Sequence, residues 1–93
     1  MKREDPFMNI TKKNGRVVLY DTEKIVQSIL KAGADTPGEE VSRHLASYIA
    51  DEVFNTLTKD TTIITTKDVR ECVYNKLCQF GLPQTAKKYI EHE

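Results

Sequence analysis

The sequence predicts an α+β domain that is mostly helical, in which a small two- or three-stranded antiparallel sheet, built on an N-terminal hairpin, packs on a four-helix bundle. An Asn-Gly pair separates two strand-like runs, later stretches repeat apolar residues at helical spacing, and Gly or Pro residues separate most of these stretches. A chain of 93 residues can bury one hydrophobic core but not two. We therefore expect a single domain over residues 8–93, preceded by a flexible polar tail at 1–7.

The hairpin is predicted over residues 8–20. Met8, Ile10 and Lys12 fall on one face of a first strand, and residues 16–20 are rich in β-branched and aromatic side chains. The Asn14 and Gly15 pair between these runs tolerates the positive φ angles of a tight turn. An isolated hairpin is marginally stable in water, so this one should pack against the helices.

The first two helices are predicted from their caps and apolar stripes. Asp21 is a suitable N-cap for a helix that should end near Gly33, and a second helix is expected over about residues 39–58. Their apolar stripes are Ile25, Val26, Ile29 and Leu30 in the first helix, and Val41, Leu45, Tyr48, Ile49, Val53 and Leu57 in the second.

The second half of the chain is predicted to hold one β-branched segment and two helices. The segment at 61–66 is either a short strand that joins the hairpin or an extended linker. Thr65 or Thr66 should cap a third helix that ends at Gly81, and a last short helix should cover residues 83–92. The expected inward side chains are Val69, Cys72, Val73, Lys76, Leu77 and Phe80 in the third helix, and Ala86, Tyr89 and Ile90 in the last.

Composition and motifs exclude several classes of function. The formal net charge is zero, which disfavours nucleic-acid binding driven by bulk charge. The chain lacks an apolar run long enough to span a membrane and an apolar segment after its basic start, so we expect a cytoplasmic location. It also lacks a phosphate-binding GxxxxGK[ST] loop, a GxGxxG turn and metal-site spacing of cysteines, so we expect neither catalytic residues nor a protein-bound metal.

Four basic residues surround the predicted turn: Lys12, Lys13, Arg16 and Lys24. A phosphate group is the natural partner of converging Lys and Arg side chains. An apolar slot between Ile10 and Ile25 could take a flat base beside them. The alternative is a solvated hairpin that carries ordinary surface lysines, and composition and spacing alone favour this second interpretation.

Four blocks of the sequence resemble the ATP-cone domain, a regulatory nucleotide-binding module of ribonucleotide reductases and of a bacterial repressor of their genes. The blocks are ITKKNGRVVLYDTEKI, TTKDVRECVYNKL, FGLP and AKKYI, in the family's order and over nearly the whole chain. The resemblance implies a small sheet capped by four helices that binds ATP, and often dATP, together with Mg²⁺ and does no chemistry on the nucleotide. It also implies control of the assembly of a host protein, through self-association or contact with a reductase subunit.

The resemblance assigns seven positions of this sequence to the nucleotide. By expected role they are Ile10 and Ile25 for adenine, Lys12, Lys13 and Lys24 for the phosphates, Asp21 for the ribose, and Thr66 for the phosphates or magnesium.

The sequence departs from the family pattern at three positions. Lys13 replaces the usual Arg, which keeps the charge but loses the bidentate guanidinium, and Asn14 replaces an Asp. Val18 replaces a frequent Glu, so the resemblance implies the loss of one polar contact to the nucleoside and weaker discrimination between ATP and dATP. The alternative function is a small nucleic-acid-binding or transcription-regulatory domain that uses the basic hairpin.

Overall fold

The computed structural model describes residues 9–12, 14–60 and 64–91 and confirms a mostly helical α+β fold. The elements are β1 (Asn9–Thr11), β2 (Val17–Leu19), α1 (Thr22–Ala34), α2 (Arg43–Asp60), β3 (Ile64–Thr65), α3 (Thr66–Gln79) and α4 (Pro83–Glu91). The predicted tail at 1–7 lies outside the described residues, as do Met8 and Lys13 of the predicted hairpin.

The sheet has three strands in the order β2-β1-β3. β1 and β2 pair antiparallel, with Ile10 opposite Val18, and the turn between them places Gly15 at φ +87°. β3 pairs parallel to β1, with Ile10 opposite Ile64, so the sheet is mixed and the antiparallel prediction is wrong for this strand. Two helices separate β2 from β3, and a connection of that length allows β3 to enter beside β1 in the same direction.

α1 begins where its cap predicts. Asp21 has an extended backbone, and its carboxylate accepts a hydrogen bond from the Lys24 N–H at 3.3 Å. The helix follows β2 after a two-residue connection, so its first turn lies beside the hairpin.

The predicted start of α2 near residue 39 is wrong, because the helix begins at Arg43. The Ser42 hydroxyl accepts the Leu45 N–H at 3.1 Å, which makes serine the local cap. The Glu39 carboxylate instead accepts the N–H groups of Gln84 at 3.1 Å and Thr85 at 2.8 Å. Glu39 therefore lies outside α2 and caps the first turn of α4.

Thr65, one of the two predicted residues, caps α3. Its hydroxyl accepts the Asp68 N–H at 3.1 Å, and the Asp68 carboxylate accepts the Thr65 N–H at 3.0 Å, which forms a capping box. Past the end of α3, Gly81 adopts φ +79°, as its predicted role as a helix stop requires.

One hydrophobic core joins the four helices and the inner face of the sheet. Its fully buried large side chains are Val26, Ile29, Ile49, Val53, Val73, Leu77 and Thr85. Three predicted inward residues are exposed instead, namely Tyr48, Phe80 and Ile90. Tyr48 and Ile90 lie at the margins of their apolar stripes, and Ile49 and Tyr89 at the neighbouring positions face the core. Phe80 is the C-cap that follows α3, and its ring lies 5.6 Å from the ring of Tyr48.

Candidate functional site

The candidate site is a cavity of about 300 Å³ between the inner face of the hairpin, the start of α1, the start of α3 and the last turn of α4. Every one of these elements except α4 contributes at least two lining residues. The site is therefore formed by tertiary packing of segments from both halves of the chain.

Six of the seven residues that the family resemblance assigns to a nucleotide line this cavity: Ile10, Lys12, Asp21, Lys24, Ile25 and Thr66. The seventh, Lys13, lies outside the described residues. Ile10 and Lys12 belong to the hairpin, Asp21, Lys24 and Ile25 to the start of α1, and Thr66 opens α3.

The apolar wall of the cavity has the character of a binding surface for a flat group. Ile10 is buried in β1, Ile25 is half-buried on α1, and Val69 on α3 continues the same wall. Val18 of β2 also lines the cavity, so the position where the family frequently has Glu presents a methyl surface.

Three cations line the cavity: Lys12, Lys24 and Arg70. None of them forms an ion pair with any described residue, whereas Arg43, Lys67 and Lys76 pair with carboxylates elsewhere on the described surface. Asp21 is the one carboxylate among the lining residues. The cavity therefore carries an excess of positive charge that is available to an anionic ligand.

Arg70 is a site residue that sequence reasoning missed. It lies four residues after Thr66 on α3, so the two side chains share a face of the helix, and it is half-buried at the cavity wall. That spacing was readable from the sequence. Arg70 also lies between the core positions Val69 and Val73 of α3, however. The neighbouring sequence does not distinguish it from an arginine that points to solvent.

Tyr20 connects the cavity wall to α2. Its buried hydroxyl donates a hydrogen bond to the Ala50 carbonyl at 3.0 Å, and its ring lies 5.5 Å from the ring of Phe54. Burial, followed by the nearby Tyr89, Cys72 and Asp51, raises the pKa of Tyr20 well above its ordinary value. The phenol therefore stays protonated and acts as a hydrogen-bond donor that holds the hairpin–α1 junction on α2.

The other reactive side chains of the described residues lie apart from the cavity. No group of three or more His, Cys, Asp or Glu residues in the described ranges could hold a metal ion. Burial raises the pKa of the Cys72 thiol, which disfavours the nucleophilic thiolate, and Lys76 only partly offsets this effect. The chemistry that the lining residues support is the binding of an anion with an apolar, flat portion.

Nearly the whole chain matches a known protein family. The family model is described as "ATP cone domain" and matches residues 8–93. No curated protein matches the chain at a significant level. No helix in the described part of the chain has both the length and the apolar character needed to cross a membrane.

Proposed function

Because the chain belongs to the ATP-cone family of nucleotide-binding regulatory domains, we propose that its cavity binds ATP or dATP as an effector, with magnesium, and leaves the nucleotide chemically unchanged. The observation that supports the proposal is the convergence of six residues that the family resemblance assigns, from three segments, on one cavity whose three cations form no ion pair with a described residue.

The adenine would lie between Ile10 and Ile25, against the apolar wall. Lys12, Lys24 and Arg70 would contact the phosphates, because charge-assisted hydrogen bonds to phosphate are the strongest that these side chains make. Lys13 remains a proposed phosphate ligand on sequence grounds alone. Asp21 would accept a hydrogen bond from a ribose hydroxyl with the carboxylate oxygen that does not cap α1.

Thr66 supports the phosphate end of the proposal. It is the first residue of α3, where the helix dipole favours an anion and a hydroxyl is available to a phosphate oxygen or to magnesium. Magnesium prefers oxygen ligands and keeps several waters. The nucleotide's phosphates and water would therefore supply most of its ligands, and the protein would supply few.

A small ligand fits the described charges better than a nucleic acid does. Lys12, Lys24 and Arg70 face one cavity instead of forming a stripe along an exposed surface, and the chain has no net positive charge. The partner that this module regulates would be a second copy of the chain or a subunit of a ribonucleotide reductase, as in the family.

Calorimetric titration with ATP, dATP, ADP and GTP, with and without magnesium, tests the proposal. We expect adenine nucleotides to bind, GTP to bind poorly, and Lys12→Ala to weaken ATP binding at least tenfold, which corresponds to about 1.4 kcal/mol. Lys59→Gln, an exposed lysine in the last turn of α2, is the matched control and should bind ATP like the unmodified chain. Equal affinities for ATP in both variants would place the nucleotide elsewhere.

A further inference from the structure

Ser28 is a lining residue of the cavity that has no role in the nucleotide contacts proposed above. It is half-buried on α1, three residues after Ile25 and four after Lys24. Residues at these spacings lie on one face of a helix, with Cβ atoms about 5–6 Å apart. The Ser28 side chain therefore lies next to the isoleucine proposed to contact adenine, one helical turn beyond the lysine proposed to contact phosphate.

The hydroxyl of Ser28 is available to a ligand. A serine or threonine inside a helix commonly donates a hydrogen bond to the carbonyl four residues earlier, as Thr58 does to the Phe54 carbonyl at 2.8 Å. The Ser28 hydroxyl forms no such bond to Lys24, and no hydrogen bond to any other residue in the described ranges 9–12, 14–60 and 64–91. A half-buried hydroxyl without a protein partner gains a hydrogen bond when a polar ligand group reaches it.

An adenine in the apolar slot would need a hydrogen-bonding partner for its edge. Ile10 and Ile25 can cover the two faces of a flat base, but adenine also carries the N6 amino donor on its rim. A donor that is enclosed without a partner loses the free energy of its bonds to water. Apolar binding pockets therefore commonly add a few placed polar groups that fix the orientation of the ligand. Ser28, adjacent to Ile25, is such a group.

We propose that Ser28 reads the adenine base of the effector, with its Oγ atom accepting a hydrogen bond from the N6 amino group. The inference rests on the proposed function and adds the residue that recognises the base, whereas Lys12, Lys24 and Arg70 keep the phosphates. Because a hydroxyl donates as well as accepts, Ser28 can also pair with the O6 atom of guanine. It therefore selects purines with a polar group at C6 over those with hydrogen there, and the expected weak binding of GTP has another source.

Calorimetric titration of the full chain with ATP and with purine riboside triphosphate tests this contact, because the analogue carries hydrogen in place of the N6 amino group. We expect the unmodified chain to bind ATP about fivefold more tightly than the analogue, which is the effect of one neutral hydrogen bond. In Ser28→Ala, ATP binding should weaken to the level of the analogue, and the two affinities should agree within about twofold. Alanine favours the helix, so the melting temperature of the nucleotide-free variant should not fall.

Ser47→Ala is the matched control. Ser47 is a half-buried serine in α2 that does not line the cavity, so its alanine variant should keep the preference for ATP. A preference for ATP over the analogue that is the same in Ser28→Ala as in the unmodified chain, or that is absent from both, overturns the inference but leaves the proposed function in place. Equal weakening of both nucleotides by Ser28→Ala would mean that the hydroxyl contacts another part of the nucleotide, and it also overturns the inference. Failure of the unmodified chain to bind ATP overturns the proposed function and this inference together.

Discussion

Arg70 occupies an electrostatic position that favours a ligand over a structural role. It is half-buried beside Lys12 and Lys24, two cations, and no described carboxylate pairs with it. Partial burial of an unpaired guanidinium costs free energy, and an incoming phosphate would compensate for it. Under the proposed function, a bound phosphate would offset the free-energy cost of partly burying Arg70 in the nucleotide-free fold.

Replacing Arg70 with Gln should therefore separate binding from stability. We expect Arg70→Gln to weaken ATP binding by about tenfold, since it removes one charge-assisted contact, while the melting temperature of the nucleotide-free chain stays the same or rises. Lys67→Gln is the control on the same helix, because Lys67 is highly exposed and does not line the cavity. Calorimetric titration measures the change in ATP affinity, and a thermal melt measures the melting temperature of the nucleotide-free chain. A large fall in the apo melting temperature would mean that Arg70 is structural.

The Tyr20 hydroxyl makes a second residue-level prediction. Tyr20→Phe keeps the ring contact with Phe54 but removes the buried hydrogen bond to the Ala50 carbonyl. We expect the free energy of unfolding to fall by about 1 kcal/mol, because one buried hydrogen bond is lost while the carbonyl keeps its helical partner. Urea denaturation of Tyr20→Phe and of Tyr48→Phe, whose hydroxyl lies on an exposed residue, measures the difference. A loss of the same size in Tyr48→Phe would contradict this assignment.

The elements of the fold were predictable where their signals are local. Asp21 caps α1, Thr65 caps α3, and Gly15 and Gly81 adopt positive φ, and each of these follows from residues within one turn. The start of α2 was not predictable, because the role of Glu39 depends on Gln84 and Thr85, which lie 45 and 46 residues away. The parallel direction of β3 likewise depends on how α1 and α2 pack, which two β-branched residues cannot specify.

Glu39 links the loop before α2 to α4, and this link should depend on pH. The carboxylate is partly desolvated, which alone would raise its pKa, but the N–H groups of Thr85 and Gln84 prevail and lower it below the ordinary value. A carboxylate with a lowered folded-state pKa contributes stability that is present above its unfolded pKa and is lost as pH falls through the folded value. The contribution of Glu39 should therefore disappear on acidification from about pH 5 to pH 3.

Thermal melts across that range test the contribution of Glu39. We expect Glu39→Gln to lower the melting temperature at pH 7 and to reduce its fall on acidification, because the variant lacks the titrating cap. Glu40→Gln is the control, since Glu40 is exposed and makes no hydrogen bond that the structure describes. Parallel melting curves for the unmodified chain and Glu39→Gln over the whole pH range would refute the cap as a source of acid sensitivity. Glu23, whose pKa is lowered by Gln27 and Arg43, should keep a residual pH dependence in both variants.

At the scale of the whole molecule, the cavity joins the two halves of the chain. Lys12 and Lys24 come from the hairpin and α1, while Thr66 and Arg70 come from α3, beyond the intervening α2. The resemblance of the sequence blocks to the family predicts Lys12, Lys24 and Thr66 as site residues, whereas the cavity itself, with Arg70 and Val18 in its wall, depends on how the folded segments pack. A ligand that contacts both halves must stabilise the native state against unfolding, since the unfolded chain does not assemble the site.

Nucleotide should accordingly raise the melting temperature of the intact domain, and the added stability should grow with the logarithm of the nucleotide concentration above the dissociation constant. At an ATP concentration of 100 times the dissociation constant, linkage predicts about 2.7 kcal/mol of added stability. For a domain of this size that corresponds to a shift of roughly 10–20 °C.

Because Val18 offers no polar contact to the sugar, dATP should give a shift close to that of ATP at matched concentration. Scanning calorimetry with both nucleotides, and with Lys12→Ala, checks this. An unchanged ATP shift in Lys12→Ala would mean that the stabilising ligand binds outside the cavity. A much smaller shift with dATP would mean that a lining group, such as Asp21, contacts the ribose 2′-hydroxyl, which dATP lacks.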